Sequence, residues 1–399
     1  MPTALAPLPR LLAYAQSLGL ERHLRRAKRG VPSLVLALVW LVLAWRGTGR
    51  PSRVAALDEP LLAALLGLER LPSAKTLREA LRRFPAAAVR AAAEDAYRAE
   101  LGRRSGAVWV AVDAHQLPYW GRGKPDRFQK GWSGSHSRRL RGYRLYLAVD
   151  CDSGQVVTFL LGRGRGRDHR FAALLARRCR AVLGERLAGV VADCGFTSRA
   201  SVAGLLASGV PFIVGFARSR PVRERLAALT PDELAALGAE GAVALGPCAW
   251  DGRLSLFALR ARTPSDRRGP WVYATCLGGV AAPALAATYR RRWRAEQAIE
   301  ELKNGHDLDH LVATDLHPNR VAVGFRLLAR NLAVGLQVAD AGARPSRIRE
   351  PAAFRALHVD GLGTFTARAR TLAVATLRAT TRPVRLRLPW TRRVVLLAA

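Results

Sequence analysis

A mixed α/β sheet preceded by an all-helical region is what the sequence predicts. Three observations carry this expectation. Up to about residue 105 the apolar stretches have helix-forming composition and no strand pattern. From Val108 onward short continuous apolar runs take over, and two of them end in a carboxylate, Asp113 and Asp193. The runs Arg144–Asp150 and Gln155–Leu161 are joined by the tight turn Asp152-Ser153-Gly154, as in a hairpin. The 399 residues, half of them hydrophobic, are enough for two or three globular domains.

In the first region the expected helices are Pro9–Leu18, Leu34–Trp45, Leu61–Leu66, Ala74–Phe84 and Ala86–Leu101. Pro9 suits a first helical position, where no N–H is needed, and Ser73 suits an N-cap. Leu61–Phe84, turning at Gly67 and Pro72, has the proportions of a helix-turn-helix. Leu34–Trp45 is continuously apolar but too short to span a bilayer, so a buried helix is expected there. With no signal peptide evident, a cytoplasmic protein away from the membrane is expected.

Val108–Asp113 reads as a buried strand. The polar connection Ala114–Tyr143 follows. Between Gln116 and Leu147 lie eight Lys/Arg and one acidic residue, Asp126, which reads as a substrate-side basic loop. After the hairpin, the basic glycine linker from Gly162 to Arg167 lacks the Lys-Ser/Thr ending of a nucleotide-binding loop. Asp168 is the expected N-cap of a helix His169–Leu183. Then come strand Leu187–Asp193, helix Ser198–Ala207 and strand Pro211–Gly215.

Three strands with local reversals, then helix, strand, helix, strand, is the element order of a ribonuclease-H-like five-stranded mixed sheet. In that arrangement the first and fourth strands are neighbours, so Asp113 and Asp193 would face one another. Residues from about 216 to 282 break the order and read as a β-containing insertion. A capping box at Thr230 and Glu233 and a hairpin turn at Asp251-Gly252 fall inside it. Val321–Ala339 is a strongly apolar helix. Three domains are therefore expected: a helical DNA-binding region 1–105, a catalytic domain 106–335 and a basic tail 336–399. From Asp340 the tail holds twelve Arg against three acidic residues.

Tyr289–Lys303 has helix-forming composition and no Pro or Gly until Asn304-Gly305, which reads as its stop. At about 100° per residue, Arg292, Glu296 and Lys303 fall roughly 60°, 20° and 40° to one side of Tyr289. A carboxylate between two cations and a phenol suits a metal ion beside a phosphodiester. Together with Asp113 and Asp193, Glu296 completes three carboxylates able to hold two divalent ions. Oxygen donors favour Mg²⁺, with Mn²⁺ as substitute.

The net charge of +34 demands a polyanionic partner, most simply nucleic acid. The charge is spread along the chain rather than set beside one apolar helix, which argues against a membrane surface. The five cysteines are odd in number and widely spaced, giving no zinc or disulfide pattern.

The spacing Tyr289-x2-Arg292-x3-Glu296-x6-Lys303, with strand-ending Asp113 and Asp193-Cys194-Gly195-Phe196, resembles the DDE transposases of bacterial insertion sequences of the Tyr-Arg-Glu-Lys class. The resemblance spans roughly residues 108 to 335. It implies that Asp113, Asp193 and Glu296 are the metal-binding catalytic triad. Tyr289, Arg292 and Lys303 would contact transposon-end DNA around the cleaved phosphate. The implied reaction is metal-dependent strand cleavage, then attack of a 3′-hydroxyl on target DNA, by a protein that is a homodimer when bound to two ends. Members of the class often pass through a hairpin intermediate in which a tryptophan of the β insertion stacks on a flipped base. Trp271 and Trp250 are the candidates, each set against a plain core role.

Other residues rank lower. Glu300 is the rival third ligand, though pairing with a nearby cation explains it as well. Asp150 and Asp152 suit turn formation. His115 can reach the side of Asp113 or serve structure. His306 and His310 are expected at the surface, and Cys194 in the core. Two other functions remain open on sequence: a related nuclease that cuts without joining, and a transposase-derived DNA-binding protein without chemistry.

Overall fold

The computed structural model describes residues 1–24, 31–57, 60–121, 129–133, 137–163, 168–239, 241–260, 270–341, 350–360, 362–368, 371–376, 384–387 and 394–398. Asp126 and most of the glycine linker lie outside them.

Helices Leu8–Ser17, Glu21–Leu24, Ser33–Trp45, Pro60–Leu65, Ala74–Arg83 and Ala86–Leu101 occupy the first region, with a 3-10 stretch at Pro51–Leu57. Ser73 does cap its helix, its hydroxyl accepting from the Thr76 N–H at 3.2 Å. The all-helical expectation differs at one point. Pro2 and Thr3 pair antiparallel with Thr364 and Gly363. They edge a five-stranded sheet whose other strands are Gly363–Ala367, Thr371–Thr376, Val394–Ala398 and Val384–Arg387. A two-residue strand has no periodicity of its own to read, so only its distant partner defines it.

The main sheet holds nine strands rather than five. Val156–Arg163, Arg138–Asp150, Val108–Pro118, Leu187–Ala192 and Phe212–Phe216 pair in that spatial order. Only the last two pairings are parallel, so the sheet is mixed. The insertion then continues this sheet. Trp271–Thr275 pairs antiparallel with Phe212–Phe216, and Asp251–Leu259 and Ala242–Cys248 follow outward. Phe212–Phe216 would otherwise present an open edge of N–H and C=O groups, which the insertion satisfies. A further strand, Gln129–Ser133, lies within the stretch expected as a loop and pairs with Arg138–Gly142.

Three local expectations need correction. The first strand runs on to Pro118, because Asp113–Pro118 stays paired with Gly142–Leu147. The insertion hairpin turns at Ala249-Trp250, with Cys248 opposite Asp251. Asp251 opens the returning strand and binds Arg253 instead. Asp168 does not cap the following helix, which starts at Ala172 without a side-chain cap. It is buried and holds Arg144 through two bonds of 3.2 and 2.6 Å. A buried carboxylate gains more from a fork of guanidinium donors than from one helix N–H.

Helix Leu316–Ala341 is the hub of the molecule. It is long and apolar enough to cross a membrane, yet its apolar window is 94% buried inside the protein. It packs on Ala86–Leu101, Ser33–Trp45 and the Trp293–His306 helix. Its polar residues tie distant backbone together. Arg326 donates to the carbonyls of Gly49 (2.6 Å) and His310 (2.8 Å). Arg330 donates to the Gly154 carbonyl at 2.6 Å and to Glu301. The Asn331 amide pairs with both the N–H (2.9 Å) and the C=O (2.8 Å) of Val156.

Asn331→Ala would strand the buried Val156 N–H and C=O, at a cost of about 2 kcal/mol. Denaturant unfolding should show the midpoint falling at constant slope. An unchanged midpoint would show that these bonds contribute nothing net.

Candidate active site

Sheet register brings the two aspartates together. The parallel ladder between the first and fourth strands of the core ends at the pair Val112 and Ala192. The next residue on each strand is Asp113 and Asp193. Asp193 then opens the 3-10 turn Cys194–Phe196, its carboxylate accepting from the Gly195 N–H at 3.0 Å. Gly215 on the neighbouring strand permits this turn: a Cβ there would lie 2.6 Å from the Cys194 nitrogen.

Glu296 arrives on helix Trp293–His306. The single helix expected over Tyr289–Lys303 is in fact two. Ala282–Arg290 ends, and the chain crosses Arg291-Arg292 before the second helix begins. Bonds from Arg292 N to Tyr289 O (2.9 Å) and Ala295 N to Arg292 O (3.0 Å) span three residues, so the joint is overwound. Composition gives no warning of it, because its bonds are tertiary. Arg291 pairs with Asp152 in the hairpin turn, and Arg292 pairs with Asp113 and Glu296. The helix stop also differs from expectation. It falls at His306, with Asp307 left-handed at φ 58°. Gly305 is there for close packing, since a Cβ would come within 2.2 Å of Pro351.

Arg292 is the centre of the cluster. Nη1 donates to the free oxygen of Asp113 at 3.2 Å, while Nη2 donates to Glu296. The other Asp113 oxygen accepts from the Ala114 N–H at 2.7 Å. Burial pushes the Asp113 carboxyl up to about 6; Arg292 opposes this, and the nearby charges of Asp193 and Glu296 add to it. Asp193 is raised as well, first by burial, again against the pull of Arg292. Among the described residues no three His, Cys, Asp or Glu side chains form a group able to hold a metal. Arg292 stands between Asp113 and Glu296 as the compensating cation. The donor chemistry, all carboxylate oxygen and mutually repelling, fits a hard divalent cation.

Tyr289 packs on Tyr273 with ring centroids 4.0 Å apart and lies under the Arg292 guanidinium. Burial raises its phenol, which therefore stays protonated. Lys303 does not join the carboxylates; it donates to Glu300 at 2.9 Å. Glu300 in turn accepts from Asn304, and these two donors hold it below the ordinary carboxylate range. Glu296 shares Arg292 with Asp113, whereas Glu300 is held by Lys303 and Asn304.

Beside these lies a cavity whose lining joins sequence candidates to Tyr273, Trp293, Arg218, Arg260 and Arg290, which the sequence reading missed. This cavity of about 700 Å³ opens beside Asp193, lined by Trp271, Tyr273, Tyr289, Trp293 and the arginines 218, 260, 290 and 292 among others. Trp271 and Trp293 are among the most exposed large hydrophobic residues, at 38% and 43%. Trp293 directly follows Arg292, which was its one available signal. Trp250 packs on Phe216 at 4.5 Å and does not line the cavity. Cys194 is exposed on its wall rather than in the core.

The remaining candidates are structural. Asp150 is fully buried, paired with Arg104 (2.6 Å) and the Tyr97 hydroxyl, and it accepts from two turn N–H groups. His115 contacts Asp309 at 2.6 Å. His306 is buried against the Ala44 carbonyl rather than at the surface, and burial lowers it to about 3, leaving it neutral. His310 pairs with Asp307 and Arg50 beyond the helix end, so the two histidines form no metal pair.

The class of molecule follows from this geometry together with comparison to known proteins. The family model for the transposase DDE domain matches residues 104–332, more than half of the chain. The chain belongs to that family. Among solved structures, the piggyBac transposase in a synaptic complex with hairpin DNA is similar in fold, with a TM-score of 0.50 at 13% identity. The match covers 88% of this chain and 80% of that one. No curated protein matches.

The raised Asp113 gives a signed prediction. A carboxyl shifted from 3.8 up to about 6 destabilises the fold when ionised. The loss sets in as pH rises through that window and is complete above it, on the order of 3 kcal/mol. Asp113→Asn should therefore raise the Tm of ion-free protein at pH above 6. The gap should close as pH falls below 4. A destabilised variant at neutral pH would contradict the assignment.

Proposed function

We propose that the chain is a DNA transposase of the Tyr-Arg-Glu-Lys class of bacterial insertion sequences, with a ribonuclease-H-like core. It cleaves DNA at its element's ends and joins the freed 3′-hydroxyl to a target strand. The observation that supports this reading is that Arg292 bonds both Asp113 and Glu296, with Asp193 close enough for its charge to act on Asp113 and Arg292. The strand order and the family assignment support it.

Asp113, Asp193 and Glu296 would hold Mg²⁺, or Mn²⁺ in its place. The bound ions would supply Lewis-acid stabilisation of the attacking and leaving oxygens. The chain's own groups do the rest. Arg292 exchanges its carboxylate partners for the scissile phosphate, two of whose oxygens its planar fork can bind together. Tyr289, kept protonated, donates to a phosphate oxygen. Lys303 reaches the backbone further along the helix. The aromatic cavity beside Asp193 takes a base turned out of the stack, with Trp271 as its stacking face.

Residues 1–105 are the end-binding domain in this reading. Lys75, Arg78 and Arg82 share the exposed face of the capped helix Ala74–Arg83, opposite buried Leu77 and Leu81. Residues 106–335 carry the chemistry, and residues 336–399 form the basic tail. Two ends must be joined, so the working form is a homodimer on double-stranded DNA.

Purified protein with Mg²⁺ should nick duplexes carrying the ends of its own element. Glu296→Gln should abolish nicking while retaining binding, and Glu300→Gln should leave most activity intact. Full cleavage by the Glu296 variant would sink the proposal. In a separate assay, Trp271→Ala should slow cleavage about 5- to 150-fold with binding kept, given about 1–3 kcal/mol per stacked base. A 2-aminopurine placed at the cleaved position should lose its fluorescence change in that variant, and an unchanged signal would exclude Trp271.

A further inference from the structure

The first core strand and its antiparallel partner run well past the site. The first strand ends at Pro118, opposite Gly142; its partner continues alone as Arg138–Gly142 and pairs there with Gln129–Ser133, a two-stranded ribbon. The ribbon exposes Lys130, Arg138, Arg139 and Arg141. No acidic side chain lies among its described residues. None of the four cations forms an ion pair with a described residue.

Register makes this arrangement costly. Lys130 is directly opposite Arg141, and like charges in a cross-strand pair repel. Arg139 precedes Arg141 by two residues and points to the same face. Among the described residues no acidic side chain pairs with these cations, and the cross-strand repulsion of Lys130 and Arg141 costs the ribbon stability. The same alternation ties the cations to the chemistry. Asp113 is opposite Leu147, and Arg141 and Arg139 lie six and eight residues up that strand, on its Asp113 face. At about 3.3 Å per residue this is roughly 20 to 26 Å from Asp113. A duplex rises about 3.4 Å per base pair, so the span is roughly six to eight base pairs.

We propose that Lys130, Arg139 and Arg141 form a backbone-contacting arm for duplex DNA, gripping the same duplex whose phosphate sits at Asp113, some six to eight base pairs away. The proposal rests on the transposase reading above. The arm contacts phosphates only and so adds affinity and alignment without sequence preference.

The test is the salt dependence of binding to a long random-sequence duplex, followed by anisotropy with the full chain. Removing one cation from a phosphate lowers the slope of log K against log salt by about 0.9. The variant K130Q/R139Q/R141Q should lose about 2.7 from its slope, so its affinity changes about 40-fold less than wild type between 50 and 200 mM salt. Its Tm should stay level or rise, because the Lys130–Arg141 repulsion is gone. The charge-retaining variant K130R/R139K/R141K should keep the wild-type slope. Duplexes of element-end sequence trimmed progressively toward the cleaved bond should weaken wild-type binding once the arm's phosphates are removed, and leave the glutamine variant unaffected.

An unchanged slope in the glutamine variant overturns the arm, as does a slope that falls equally in the charge-retaining variant. A loss of self-association with the slope intact assigns the ribbon to a second copy of the chain and also overturns it. Wild-type protein that binds duplex but fails to cut its element ends defeats the transposase reading instead, a separate result from any of these.

Discussion

Three carboxylates cannot share a partly buried site without a compensating charge, and here Arg292 supplies it. Its fork spans Asp113 on the sheet and Glu296 on the helix, and its charge opposes the burial that raises Asp193. Removing acids from water costs several kcal/mol each unless a cation stands close. The site is thus held together by ion pairs of Arg292 with Asp113 and Glu296. A guanidinium is suited to this double service: it is always charged and pairs with carboxylate or phosphate in the same planar geometry.

The surrounding structure keeps that guanidinium in place. The overwound joint at Arg291-Arg292 is fastened to the hairpin turn through Arg291 and Asp152. Ten residues along, Glu301 on the Glu296 helix binds Arg330 of the hub helix, which also holds the Gly154 carbonyl. One turn, Cys151–Gly154, therefore grips the Glu296 helix directly at one end and through the hub helix at the other. That turn is shaped by Asp150, buried and paired with Arg104. A substitution at Asp150 would reach the site through this chain of contacts, although Asp150 touches none of its carboxylates.

The core strand order was legible because buried strands announce themselves as continuous apolar runs, and a run that ends in Asp marks where burial stops. The positions of Asp113 and Asp193 at the strand ends were legible for the same reason, whereas Glu296, on a helix, was singled out only by its spacing. What sequence could not provide was everything decided between distant segments. The joint in the Tyr289–Lys303 helix has ordinary helix-forming residues, and only tertiary bonds overwind it. Asp168 has the composition of a cap but found a better partner in Arg144 on a remote strand. Gln129–Ser133 is too short and polar to show a period, and forms only because Arg138–Gly142 offers an edge. Trp293 and the aromatic cavity arise where the insertion's strands extend the sheet beside Asp193, a placement no local pattern encodes. Lys303 shares a helical face with Glu296 on a wheel, yet the nearer Glu300 captures it.

Net charge is a coarser guide to function than it first appears, because arginine serves two ends in this chain. Arg326 is 1% exposed and spends its donors on carbonyls, and burial lowers it to about 10, still charged at neutral pH. Arg330, Arg104 and Arg144 likewise tie elements together through buried or half-buried acids and carbonyls. These cations are structural and contribute little to attracting a polyanion at contact range. The cations that the fold exposes without acidic partners among the described residues are grouped: on the capped N-terminal helix, at the cavity rim and on the strand ribbon beyond Asp113. It is this separation of buried ties from exposed groups that turns a uniformly basic composition into a surface with a direction, running outward from the carboxylates along the strand paired with the one that carries Asp113.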